Sequence, residues 1–158
     1  MNRNPWRLMT AFGAAVGGVL MVGGGLSRWY DATALGLEPI EFRGTVVAYG
    51  DEVIGRVWPG WAIVGLGLLA VLGGLLAVFW PSRAAVVPAV AGLAGLGLSV
   101  LFCVDPTVAM TSVAQQLGGS TDMFGELTVS AGLVVAAVGS ALATCSGAAG
   151  LVLSRRGR

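Results

Sequence analysis

The chain contains no histidine and no lysine. Without an imidazole, general acid–base chemistry tuned near neutral pH and histidine ligation of a metal are both excluded. No Ser-His-Asp triad can form, and a Ser-Lys pair is ruled out in the same way. Charge is scarce: only 11% of the 158 residues are charged, against about 25% in a soluble domain. A surface so poor in charge cannot face water on all sides. The net charge of +1 and the lack of any basic patch exclude a nucleic-acid partner. Cysteine is nearly absent as well. Cys103 and Cys145 each fall inside an apolar segment, at expected depths that differ by most of a bilayer. Both are read as small buried hydrophobes without a disulfide.

What the chain has instead is apolar length. It is 56% hydrophobic, with a mean hydropathy of +0.84. Four segments are long enough to cross a bilayer, at about 8–26, 61–80, 84–104 and 122–153. They predict an all-α membrane protein, a four-transmembrane-helix bundle forming one integral membrane domain over 1–158. The first segment has the basic start of a secretory signal. Its apolar run of about 19 residues exceeds the 7–15 of a signal core, so it is read as a retained helix. Trp29 and Tyr30 mark its outer interface, and Trp58, Trp61 and Trp80 flank the second span as an aromatic belt. Residues 81–83 make a tight turn, and Pro88 stands about one turn inside the third span.

Asp105-Pro106 has the form of an N-cap followed by proline at the first helical position. A short helix to Leu117 is expected there, with Met110, Val113 and Leu117 on one side along the membrane surface. The fourth span is expected to start near Asp122, with Asp122 and Glu126 in its first turns, where the helix dipole favours acids.

The polar exception is residues 39–58, read as a small extracytoplasmic β-hairpin cap. Two runs rich in β-branched residues, 40–49 and 52–58, flank Gly50-Asp51, a pair suited to a type II′ turn. That turn sets Tyr49 opposite Glu52, Ala48 opposite Val53, Val47 opposite Ile54, Thr45 opposite Arg56 and Arg43 opposite Trp58. Phe42, Val46, Ala48, Val53 and Val57 then share an apolar face. An isolated hairpin is marginal in water, so this face must cover helix ends or a partner.

Charge sorts by side. The segments 1–7, 81–83 and 154–158 carry Arg3, Arg7, Arg83, Arg155, Arg156 and Arg158 and no acid, whereas the two other links carry all eight acids. Arginine excess marks the cytoplasmic side. The reading is therefore a multi-pass protein of the plasma membrane with both termini cytoplasmic and the cap outside.

No charged residue lies mid-span, so the usual mark of a proton relay or ion path is missing. Small residues recur at four-residue spacing: Gly13 and Gly17 in the first span, Ala91 and Gly95 in the third. They suit close helix packing, either within the bundle or against another membrane protein. The glycine runs match no phosphate-binding loop, and the acids have no calcium-loop spacing. No cofactor or metal is expected. Phe42, Arg43, Tyr49, Arg56 and Trp58 are the candidate partner interface, because aromatics and arginine dominate interface hot spots. In the proposed register Arg43 lies across from Trp58, within reach of a cation–π contact.

The whole layout, from basic start through a strand-rich outer loop and a Trp-rich second span to a tight basic turn, resembles the small four-span membrane proteins common in actinobacteria. The arginine-only basic set and the Gly and Ala content fit such a GC-rich source. The outline is also similar to that of claudin-like four-helix proteins. The claudin signature needs paired cysteines in the first outer loop, where this chain has none, so no claudin residue or function carries over.

These features imply a non-catalytic accessory or assembly subunit of a larger cell-envelope or membrane complex serving lipid transport, secretion or respiration. Its partners would be other integral membrane proteins and lipids. The alternative is a small homo-oligomeric transporter or channel, with Ser99, Ser140, Thr144 and Ser146 as pore-lining candidates. An enzyme acting on lipid is a third reading, and it lacks a recognisable catalytic set.

Overall fold

The computed structural model describes residues 5–31, 40–49, 51–80, 84–117 and 127–156. Four long helices dominate: α1 (Pro5–Leu26), α2 (Trp58–Ala77), α3 (Val86–Val104) and α5 (Ala131–Arg156). All four are long and apolar enough to cross a membrane. A shorter helix, α4 (Pro106–Leu117), follows α3 directly. Among the described residues there are also five short strands: β1 (Arg28–Asp31), β2 (Ile40–Arg43), β3 (Val46–Tyr49), β4 (Glu52–Arg56) and β5 (Thr128–Val129).

The long helices form a square in the cyclic order α1–α2–α3–α5, each packed on two neighbours with little contact across the diagonals. Glycine sets how close they come. A Cβ on Gly17 would lie 2.6 Å from the Ala143 nitrogen and 2.7 Å from the Gly139 carbonyl of α5, so the backbones themselves are in contact. Gly18 meets Gly67 of α2 in the same way, and Gly92 of α3 meets the Ser140 carbonyl and Thr144 of α5. Such contacts favour helix association in an apolar solvent, where burial of side chains gains little.

The strands form one antiparallel sheet in the order β4-β3-β2-β1-β5, a meander with β5 added beside β1. It sits where α1 and α3 end and α2 and α5 begin. This differs from an isolated hairpin. The run 40–49 is two strands, because the chain reverses at Gly44-Thr45 and sets Phe42 against Val47. Tyr49 does face Glu52 and Ala48 faces Val53, but a bulge then places Val47 against Gly55 and Val46 against Arg56. The reversal at Gly44 pairs Val47 with Phe42 on the covered side: Val47 is buried, while Val53 is 60% exposed. Gly50, the first residue of the expected turn, lies outside the described residues.

Two further expectations are corrected. α4 does not lay Met110 and Val113 on a membrane surface: both are fully buried in a core that also holds Phe42, Val47 and Phe102. Helical spacing identifies an apolar face but not what covers it. α5 begins at Ala131 rather than near residue 122, because Thr128 and Val129 pair with Asp31 and Tyr30 as strand β5. Asp122, Glu126 and the 81–83 turn lie outside the described residues.

Candidate functional site: the cap and its seat on the bundle

The cap is fixed to the helix ends by a short chain of hydrogen bonds. The last turn of α1 leaves carbonyls without helical donors. The Ser27 backbone N–H donates to Gly23 at 3.1 Å, and the Trp29 indole Nε1 donates to the Gly24 carbonyl at 2.9 Å. Gly44 N–H then donates to the Ser27 carbonyl at 3.1 Å, and Gly60 N–H, in the first turn of α2, donates to the Gly44 carbonyl at 2.9 Å. The β2–β3 turn thus joins the end of α1 to the start of α2. Only glycine fits at its centre: a Cβ on Gly44 would overlap the Gly25 carbonyl and the Trp29 ring, and one on Gly60 would overlap Gly44.

Trp29 and Tyr30, expected at a membrane interface, are instead fully buried in this seat. Trp29 packs on Phe102 with ring centroids 5.5 Å apart and meets Tyr30 edge to face at 6.5 Å. Alternate strand positions would place one of the two outward. The β1–β2 register shift between Arg28 and Tyr30 lets both turn inward. The Tyr30 hydroxyl donates to the Phe102 carbonyl at 2.9 Å. Burial drives its pKa far above the ordinary tyrosine value, and the negative charge of the neighbouring Asp105 adds to the effect.

Asp105 caps α4. Its Oδ1 accepts from the Thr107 N–H at 2.9 Å and from the Thr107 hydroxyl at 2.5 Å. At the other end of α4 the Gln116 amide reaches the edge strand β4. It accepts from Arg56 N–H and donates to Arg56 C=O, both at 3.4 Å, in the manner of one more strand residue.

Glu41 joins two arginines at the surface. Its Oε1 lies 2.7 Å from Arg28 Nη2, and its Oε2 lies 2.7 Å from Arg43 Nη2 and 2.9 Å from Arg43 Nε. The hydrogen bond from Arg43 and then that from Arg28 hold its carboxyl below the usual glutamate range.

The five interface candidates do not converge. Phe42 is 2% exposed and belongs to the core. Arg43 is strand partner to Arg28 and bonded to Glu41. Trp58 opens α2 and is not Arg43's cross-strand neighbour, because β2 ends at the Gly44 turn before it could reach β4. Tyr49, Arg56 and Trp58 are exposed. Val53 of β4, expected on the covered face, is exposed instead, and Ile54 of β4 and Trp61 of α2 are exposed as well. Gly55 was the available signal, since a glycine inside a strand often marks a bulge. Tyr49, Val53 and Ile54 are each exposed near the tip of the β3–β4 hairpin.

The four small-residue positions lie inside the bundle. Gly13 faces Ser146, Gly17 faces Gly139 and Ala143, Gly95 faces Met21 and Ser140, and Ala91 is buried. The Ser140 and Thr144 hydroxyls donate to the Ala136 and Ser140 carbonyls, each at 2.8 Å within α5. Ser140 also stands against Gly95 and Thr144 against Gly92, at packed contacts between α3 and α5. Cys103 and Cys145 are free. Among the described residues no group of three or more Cys, Asp or Glu is placed to hold a metal.

No protein-family model, curated protein or solved structure matches the chain.

Proposed function

We propose that the protein is a multi-pass plasma-membrane protein, with both termini cytoplasmic and its sheet outside, that serves as a non-catalytic accessory subunit of a larger membrane complex. The membrane reading rests on the four apolar helices. The 20 residues of α2 give about 30 Å, the thickness of a bilayer's hydrocarbon core. Exposed aromatics stand at both ends of the bundle: Trp58 and Trp61 beside the cap, and Trp6, Phe79 and Trp80 at the far end. The orientation rests on the six arginines of the far end and its adjoining segments, which hold no acid.

One observation carries the subunit reading. The cap, the part expected to meet water, exposes Tyr49, Val53 and Ile54 near the tip of one hairpin, and the β2–β3 turn of the same sheet is hydrogen-bonded to the ends of α1 and α2. Exposed apolar side chains on an otherwise charged cap fit a protein contact. Side chains inside the bundle are spent on helix packing, which suits assembly better than transport.

The test is a native purification from the source membrane by a tag on the C-terminus. A partner at fixed stoichiometry, lost on Val53→Asp without loss of folding, is the expected result. A homogeneous particle of this chain alone overturns the reading. Orientation is tested separately in a background of Cys103→Ala and Cys145→Ala. An impermeant thiol reagent should label Asp51→Cys on intact cells and Arg155→Cys only after permeabilisation; the reverse pattern inverts the topology.

A further inference from the structure

At the arginine-rich end of the bundle, the outer faces of α1 and α2 line an apolar groove of about 460 Å³. Its floor is Ala11, Ala15 and Gly74, where small residues let the helices touch, and its walls include Leu8, Phe12 and Leu75. Almost no polar surface lines it. It rests on the membrane reading proposed above, and there it opens sideways into lipid.

Its length identifies its occupant. The lining runs along α1 only from Leu8 to Ala15, about 10 Å at 1.5 Å per residue. Toward mid-membrane the two backbones stay in contact at Gly18 and Gly67, beyond the lining. A partner's transmembrane helix needs a seam across the full hydrocarbon thickness of about 30 Å, whereas a lipid tail occupies one leaflet of about half that depth. The groove therefore matches one tail in one leaflet. Headgroup chemistry stands beyond Ala11, which the groove shares with the small neighbouring cavity that Arg7 lines. Arg7 precedes Leu8 on α1, Trp6 and Trp80 stand exposed nearby, and the segments adjoining this end carry only positive charge. Anionic lipids are drawn to such clusters.

We propose that the α1–α2 groove is a binding site for an anionic phospholipid, with one acyl chain against Ala11, Ala15 and Gly74 and the phosphate at Arg7. The site gives the protein a preferred lipid on its basic side, distinct from the protein contact on its cap.

The test places the full-length protein in nanodiscs of equal dioleoyl phosphatidylglycerol and dioleoyl phosphatidylcholine, releases it in mild detergent, and counts retained lipids by native mass spectrometry. Wild type should keep one phosphatidylglycerol in preference to phosphatidylcholine. Arg7→Gln should reduce that preference on the order of five-fold, the weight of one arginine near a charged surface. Ala15→Leu, which fills the floor, should release both lipids. Equal retention of the two lipids by wild type, or undiminished retention by a folded Ala15→Leu, overturns the site. Because Ala15→Leu also presses on α2, wild type is separately irradiated with a photoactivatable phosphatidylglycerol. Adducts within 8–15 and 74–78 support the site, and adducts only elsewhere overturn it. Resistance to alkaline carbonate extraction reports membrane insertion independently, so failure of the membrane reading is distinguishable from failure of the groove.

Discussion

The Tyr30 hydroxyl donates to the one carbonyl at the end of α3 that proline leaves without a helical donor: Phe102 C=O, 2.9 Å away. In a continuing helix that carbonyl would accept from the N–H of residue 106, but residue 106 is proline and has none. Asp105 N–H bonds to Leu101 instead. Pro106 lets the chain turn from α3 into α4, and Tyr30, from the far side of the sequence, satisfies the group that the turn exposes. Trp29 bonds the Gly24 carbonyl at the end of α1, which also accepts from Ser27 N–H, so adjacent aromatics tie the ends of two helices to one strand.

Tyr30→Phe keeps the ring and removes only this bond. A buried acceptor left unsatisfied costs about 1–3 kcal/mol. Thermal unfolding in detergent should show a loss in that range, whereas Tyr49→Phe at the exposed hairpin tip should stay within about 0.5 kcal/mol of wild type.

The raised pKa of Tyr30 has a consequence in alkali. The folded state favours the protonated phenol, so its contribution to stability is complete below the ordinary tyrosine value near 10. That contribution declines as pH rises beyond that value toward the folded pKa. In a Tyr49→Phe variant Tyr30 is the sole tyrosine. Its phenolate absorbance should be absent at a pH where a free tyrosine peptide is half ionised, and should appear on addition of denaturant.

Glycines in this chain should divide sharply by position. Gly60→Ala drives a methyl into the Gly44 backbone and should cost about 2–3 kcal/mol. Gly97, in α3, has nothing within 4 Å of a built Cβ. Gly97→Ala should be neutral or gain about 0.5–1 kcal/mol from the better helix former. Parallel unfolding curves of the two variants check the contrast.

Ser99 is fully buried in α3, and its Oγ has no hydrogen-bond partner. Most buried polar groups are satisfied, and an orphaned hydroxyl lowers stability. Ser99→Ala should therefore leave the protein as stable as wild type or more stable by about 1 kcal/mol. Ser140→Ala should be less favourable, because that hydroxyl is bonded to Ala136 C=O. Equilibrium unfolding of both variants in one detergent decides the order.

The four apolar helices, the Asp105 cap with Pro106 behind it, and strand character around residues 40–58 were legible in the sequence. Each depends on neighbours in the chain: hydropathy summed over a run, a side chain reaching two residues on, β-branched residues in succession. Tertiary structure decided the rest. The reversal at Gly44 paired Val47 with Phe42 on the buried side and separated Arg43 from Trp58, and a bulge at Ile54 shifted the rest of β4. Met110 and Val113 showed an apolar side in the sequence, but only the folded sheet and α3 covered it. Trp29 and Tyr30 read as membrane-interface aromatics because an amphipathic ring suits water, lipid or protein equally well. Their place in the core was fixed by two helix-end carbonyls, Gly24 close in the chain and Phe102 distant from it, that needed donors. Local chain chemistry sets which segments are helix or strand, whereas burial depends on which distant groups arrive opposite them.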